Sequence, residues 1–298
     1  MSRQRQRGVT KHAANAESAE TVHPSLHLSG HLPLKGGDRE ACGTTFGAEA
    51  SFLPASSSGL TRGSRLLGEP FLDPRAEPEG DTKREIANDL RIGGFEPFSL
   101  CDWPGKIVAT LFLQGCPWRC PYCHNPGLID ANAETAHRLS DILEFLETRR
   151  GLLDGVVFSG GEPTLQRALV PTMEAVRAMG FAVGLHSAGP YPERLKAALP
   201  HADWIGLDIK APEACYDRMT GTPKSATRAF ESLRHVLASG IAYEVRTTVH
   251  DGLMREPELA ALRQELAASG IAAHKIQTFR EAGVDRQRLA AALRQQRG

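Results

Sequence analysis

The sequence predicts an α/β fold built on a parallel sheet with right-handed crossovers, and two observations carry that prediction. Short β-rich runs alternate with helical patterns about six times over residues 86–281. Successive runs also end in a polar or thiol group, as strands do when their carboxyl ends share one rim. The sheet is then either a doubly wound plane or a curved, incomplete barrel, and in both the reactive groups gather beyond the strand ends.

The elements follow in order. Residues 107–113, apolar but for Thr110, have buried-strand character, and residues 138–149 place Leu139, Ile142, Leu143 and Leu146 on one helical face. A second strand at 155–158 leads to a helix at 165–179 closed by Gly180, and a third strand at 181–185 to a short helix at 192–199. The fourth strand, 204–209, precedes a helix at 226–238 closed by Gly240. The fifth, 242–249, precedes a helix at 256–268 closed by Gly270, and a sixth strand at 273–278 is followed by a helical tail over 282–298.

Residues 1–85 contrast with this region. They are rich in Ser, Gly, Pro, Ala and charge, and read as a disordered low-complexity extension that cannot bury enough apolar surface to offset its ordering entropy. His12, His23, His27 and His31 lie there at irregular spacing, with no ligand pattern.

Across all 298 residues, 35 basic side chains balance 35 acidic ones, which removes any bulk attraction to nucleic acid or to an anionic membrane. The run at 107–113 is cut short by Gln114 and Gly115, and nothing approaches the roughly 18 to 20 apolar residues of a membrane span. No apolar stretch follows the basic residues 1–8, so a secretory leader is not expected. Three of the six cysteines fall within eight residues, poor spacing for a disulfide framework and good spacing for one metal centre in a reducing compartment. The cytoplasm is the expected location.

The first strand runs into Cys116-Pro-Trp-Arg-Cys120-Pro-Tyr-Cys123-His-Asn-Pro126, where three prolines restrict the backbone and hold the thiols convergent. Thiolates are soft ligands suited to zinc or an iron-sulfur cluster. Three are one short of a closed tetrahedral zinc site, for which His124 is the nearest fourth donor; an iron-sulfur cube on three cysteines keeps one iron open. Cys101 and Cys215 read as small buried hydrophobes. The second strand ends in Ser159-Gly160-Gly161-Glu162-Pro163, with room for close backbone approach and a carboxylate for a cationic group, although an ordinary strand-to-helix turn has the same form. The third delivers His186-Ser187, the fourth Asp208-Ile209-Lys210 with both charges on one face, the fifth Arg246 and His250, and the sixth Gln277 and Arg280. Six such ends on one rim favour a composite site.

These residues resemble a known family. The cysteine triplet, Tyr122 before its last member and Gly160-Gly161-Glu162 after the next strand look like the radical S-adenosylmethionine (SAM) superfamily. A closer likeness is to activating proteins of anaerobic ribonucleoside-triphosphate reductase. It rests on Gly94-Phe-Glu-Pro-Phe-Ser-Leu-Cys-Asp-Trp-Pro-Gly-Lys106, Phe112-Leu-Gln-Gly-Cys116, Phe158-Ser-Gly-Gly-Glu-Pro-Thr-Leu-Gln166 and Gly206-Leu-Asp-Ile-Lys-Ala-Pro212, and it covers residues 91–280.

The resemblance implies an incomplete (βα)6 parallel barrel. It implies a [4Fe-4S] cluster on Cys116, Cys120 and Cys123, with the amino and carboxylate groups of SAM on the fourth iron. Gly160, Gly161 and Glu162 would orient that amino group, Tyr122 would lie near adenine, and Asp208, Lys210, Arg246 and His250 would line the cofactor pocket. Ser187 falls at the ribose side, but Ser187-Ala188-Gly189 lacks the amide of the Ser/Thr-Asn-Gly turn that many relatives carry there. The implied reaction is reductive cleavage of SAM by an electron from a donor such as flavodoxin or ferredoxin, followed by hydrogen abstraction from a glycine of the partner reductase. Two other readings accompany it: a radical enzyme acting on a small metabolite, and a non-catalytic zinc knuckle of Cys116, Cys120, Cys123 and His124.

Overall fold

The strands of a single sheet follow one another in chain order: β1 (Ile92–Ser99), β2 (Val108–Leu113), β3 (Gly155–Gly160), β4 (Ala182–Ser187), β5 (Trp204–Asp208), β6 (Ala242–Val249) and β7 (His274–Thr278). The structure is a computed structural model and describes residues 87, 89–271 and 273–296; the expectations for residues 1–85, the four histidines among them, lie outside it. From β2 to β7 every neighbouring pair is parallel, and only β1 runs antiparallel, with Ile92 opposite Leu113 and Ser99 opposite Val108. A doubly wound sheet reverses its strand order at a switch point. Here each parallel strand is added on the same side of the last, so right-handed crossovers place every helix on one face and leave the other as the inside of a curled sheet. β1 and β7 are the two edges of that sheet, and the barrel is incomplete.

The crossover helices are α1 (Leu139–Glu147), α2 (Leu169–Ala178), α3 (Pro192–Ala198), α4 (Tyr216–Thr220), α5 (Ser225–Ser239) and α6 (Glu256–Ala268), with α7 (Arg286–Gln295) after β7. The residues of β2, β3 and β5 are buried throughout, because a parallel strand is covered on both faces. Leu111, Phe158 and Leu185 join Leu146, Met173, Leu195 and Leu233 of the helices in the large outer core. The expected helix at 165–179 starts later than its apolar pattern does: residues Pro163–Leu165 form a single 3-10 turn, Gln166 is extended, and α2 opens at Leu169. Strand β1 was not among the expected elements. Gly93, Gly94 and Pro97 break its pattern, and glycine and proline are depleted in strands except at edges and bulges.

The segment between β1 and β2 turns back into the barrel. Trp103 stacks on Trp204 with ring centroids 5.5 Å apart, and Val108 and Val157 complete this small inner core. Gly184 leaves the space: a Cβ there would lie 2.8 Å from the Trp103 ring. Because Val108 and Trp204 are the first residues of their strands, this hairpin plugs the amino-terminal mouth and leaves the carboxyl rim open. Among the described residues, no helix is long and apolar enough to cross a membrane.

Candidate active site

The cysteine loop is closed at its base before any ligand is considered. At the exit of β2, Gln114 Nε2 donates to the carbonyls of Gly127 (2.9 Å) and Asp130 (2.6 Å), Gly115 N to Leu128 O (2.8 Å) and Cys116 N to Ile129 O (3.1 Å). Gly115 takes φ +96°, a left-handed conformation that a side chain would strain. Within the loop, Arg119 N donates to Thr220 O (2.7 Å) and its Nη1 to Cys116 O (2.6 Å), while buried Trp118 packs edge-on against Tyr216 at 5.8 Å. Cys116, Cys120 and Cys123 are free and half-buried.

Burial, then the neighbouring Cys120 and Glu162, push the Cys116 thiol up to about 12. Burial likewise raises Cys120 to about 11, against an opposing pull from the Lys210 ammonium. Three thiols gathered in one loop, two of them where the anionic form is costly, call for a cationic centre made of soft metal. The loop also holds Trp118 Nε1, Tyr122 Oη and Asn125 Oδ1 buried without a hydrogen-bond partner, an expensive state for a segment that binds nothing. These residues therefore fit an iron-sulfur cluster with an organic ligand over it.

They fit a single zinc ion poorly. Ligands about 2.3 Å from one tetrahedral ion would sit about 3.8 Å from one another. Among the described residues the three thiols do not come within 4.8 Å of one another as a set. His124, the fourth donor of a zinc knuckle, has its Nε2 2.9 Å from Arg280 O. Neither of the remaining described cysteines helps: Cys215 Sγ donates to Glu258 Oε1 at 3.3 Å, and Cys101 lies in the hairpin at the opposite end of β2. Cys101→Ala and Cys215→Ala are each expected to keep the full iron content of the reconstituted wild type; loss of about one iron in four from either, by colorimetric iron assay, would place a fourth ligand there.

Gly160 and Gly161 carry the β3 exit past β2. Gly160 has φ +111°, and a Cβ on Gly161 would strike the carbonyls of Gly115 and Leu128, so the room they make is taken by the chain's own backbone. The turn sets Glu162, almost wholly buried, into a socket of four donors. Its Oε1 accepts from Thr164 N (3.1 Å), Thr164 Oγ1 (2.5 Å) and Ser187 Oγ (2.8 Å), and its Oε2 from Ala188 N (3.0 Å). Burial raises the Glu162 carboxyl above the usual range and these donors work against that rise. Ser187, expected at the ribose, thus holds the carboxylate in place, and the backbone of Ala188 does the same.

On β5, Asp208 Oδ2 accepts from Lys210 Nζ (3.1 Å) and Oδ1 from Arg246 Nε (2.9 Å), all three residues being largely buried. Burial pulls the Lys210 ammonium down, but Asp208, Cys120 and Tyr216 together hold it above the usual lysine range. Arg246 lies deeper than the rim, and His250 sits apart from Asp208 on the β6–β7 side, its ring 4.6 Å from Phe279, which also lies beside His124. Tyr122 is buried beneath the loop, near Cys120 and Asp208. The structure therefore brings the cysteines, Tyr122, Glu162, Ser187, Asp208 and Lys210 to one rim. Thr164 and Tyr216 were not singled out in the sequence, and Ala188 was noted only for the amide it lacks; the signal for Thr164 was its place two residues past an acidic residue at a helix start, where Glu162 caps its backbone N–H.

Residues 110–263 match the model of the radical SAM superfamily, and the chain belongs to that superfamily, whose members hold a [4Fe-4S] cluster and use SAM. More particular likenesses lie among proteins that activate glycyl-radical enzymes. The pyruvate formate-lyase-activating enzyme of Clostridium pasteurianum is 31% identical over 166 residues, 53% of this chain and 68% of that one. A Methanocaldococcus jannaschii protein named as a glycyl-radical enzyme activating enzyme is 32% identical over 124 residues, 40% of this chain; the match spans half of that relative. Among solved structures, native anSMEcpe with bound AdoMet shares 13% identity over 56% of this chain and 49% of its own, at a TM-score of 0.46.

Proposed function

We propose that the chain is an activating enzyme that places a radical on a backbone glycine of a partner enzyme, and that this partner is an anaerobic ribonucleoside-triphosphate reductase. The observation that carries the reading is the meeting, on one rim, of three free thiols with a carboxylate socket and a buried Asp–Lys pair. The likeness to glycyl-radical enzyme activating proteins supports the class of partner, and the 94–106 and 206–212 segments support the reductase.

Cys116, Cys120 and Cys123 would hold three irons of the cluster. When bound, the cluster and SAM supply a one-electron reductive cleavage whose product removes a hydrogen atom from glycine. The chain's own work is placement. Glu162, immobilised by four donors, offers anionic charge to an ammonium group, and Lys210 offers a cation to a carboxylate beside Cys120. Gly160 and Gly161 let the β3 exit pass close to β2 and so set Glu162 in place, Tyr122 would lie near adenine, and the plugged amino-terminal mouth leaves the rim and the open β1–β7 side as entrances for a glycine loop. A flavodoxin or ferredoxin in the cytoplasm would supply the electron.

The test is anaerobic reconstitution, reduction and incubation with SAM, scored by 5′-deoxyadenosine. It is followed by addition, in separate arms, of an anaerobic ribonucleotide reductase and a pyruvate formate-lyase, scored by the glycyl-radical EPR doublet. We expect a brown protein with about four irons per chain and a doublet in the reductase arm. A doublet in the lyase arm alone would move the partner, and a colourless, zinc-loaded protein from anaerobic purification would refute the reading.

A further inference from the structure

Below the rim, one polar layer crosses the inside of the barrel from β2 to β6 and ends on the residues that face the proposed cofactor. Thr110 Oγ1 (β2) donates to Asp102 Oδ2 in the hairpin at 2.8 Å. The Asp102 carbonyl lies 2.7 Å from His186 Nε2 (β4), and Ser159 Oγ (β3) lies 3.1 Å from His186 Nδ1. The same Nε2 is 3.2 Å from Arg246 Nη1 (β6). Arg246 Nε donates to Asp208 Oδ1, and its Nη2 reaches the Gly206 carbonyl at 3.4 Å. Gly206 has no side chain where a Cβ would sit 2.7 Å from the guanidinium carbon. All three nitrogens of Arg246 therefore face polar atoms of the chain itself, and the residue is only 4% exposed.

This layer is costly to bury, and a guanidinium enclosed among the chain's own polar atoms is shielded from a ligand. A carbonyl only accepts and a guanidinium only donates, so His186 Nε2 serves either the hairpin or Arg246 at one moment. Ser159, whose hydroxyl can donate or accept, suits either tautomer. His186 is thus the joint between the hairpin plug and the cation that clamps Asp208. The hairpin itself is seated by the Trp103–Trp204 stack, and His186 lies edge-on to Trp204 at 5.6 Å.

We propose that His186 and Arg246 are positioning residues: His186, seated on the hairpin, backs the Arg246 guanidinium, Arg246 fixes the Asp208 carboxylate, and Asp208 aims the Lys210 ammonium at the rim, so that cofactor affinity depends on a plug at the opposite mouth. Arg246 thereby acts on the cofactor through Asp208, without touching it. The inference rests on the reading of the rim as a SAM site.

The test is equilibrium dialysis of SAM against the cluster-loaded, unreduced protein, with melting curves to establish that each variant is folded. His186→Leu and Arg246→Met should each weaken SAM binding by about ten-fold, and because they act in series the double variant should bind no more weakly than Arg246→Met. His186→Gln, which keeps a donor and an acceptor, should stay within about three-fold of the wild type. Arg246→Lys should not rescue, since one ammonium cannot span Asp208, His186 and Gly206. If His186→Leu fails to fold, Thr110→Val tests the same link from the hairpin end, with a loss of about three-fold. Folded variants that bind SAM as the wild type does, or a double variant whose losses multiply, would overturn the inference. A wild type that binds no SAM would instead strike at the site assignment and take the inference with it.

Discussion

Cys120→Ala is expected to yield, after the same reconstitution, a protein that has lost its brown colour, holds little stable iron and forms neither 5′-deoxyadenosine nor a glycyl radical. The reason lies in coordination. A cube on three protein thiolates already leaves one iron open to a small ligand, and removing one of the three leaves two irons without protein attachment. Cys120 also stands where the loop meets the buried pair: its thiol interacts with Lys210 and Asp208, and its carbonyl accepts from Cys123 N at 3.2 Å. The loop's own hydrogen bonds at Gly115, Cys116 and Arg119 are backbone or remote from this side chain, so the variant should melt near the metal-free wild type. Iron analysis and the visible spectrum decide the matter: a Cys120→Ala protein that kept about four irons and full SAM cleavage would sink the cluster assignment.

Gly160→Ala should be the most damaging small substitution in the barrel. Gly160 has φ +111°, and an added Cβ would strike Leu113 N and lie 2.7 Å from both Leu113 O and Phe112 C, all backbone atoms of the paired strand β2. Nothing flexible is there to yield, so β2 must move off β3 where the cysteine loop begins. We expect a loss of about 4 kcal/mol, read as a fall of roughly 10 °C in Tm. Gly180→Ala is the comparison: Gly180 has φ +90° with nothing within 4 Å of the added atom, so conformational strain alone remains, about 1 to 2 kcal/mol. Equal melting temperatures for the two variants would show that the close approach at Leu113 does not constrain the fold.

Much of this was readable along the chain. Fully buried parallel strands are continuous apolar runs, and glycines closed several of the helices, so β2 to β7 fell near their expected places. The cysteine loop was legible because its chemistry is local: three thiols and three prolines within eleven residues need no distant partner to be recognised. Strand β1 was hidden because its register comes from pairing with β2, across two irregularities, and not from alternation of its own. The start of α2 was misplaced because Glu162 caps a separate short turn first.

The sequence by itself determined the strand–helix alternation, the thiol loop and the presence of a carboxylate and a lysine at strand ends, since each is a matter of local composition and spacing. Only the tertiary structure decided that the sheet curls instead of lying doubly wound, because strand order is a property of pairing. It also decided which polar groups face one another. Ser187 and Ala188 turn to Glu162, and Arg246 turns inward to Asp208 and His186, because burial obliges each polar atom to find its partner across strands that lie far apart in the chain.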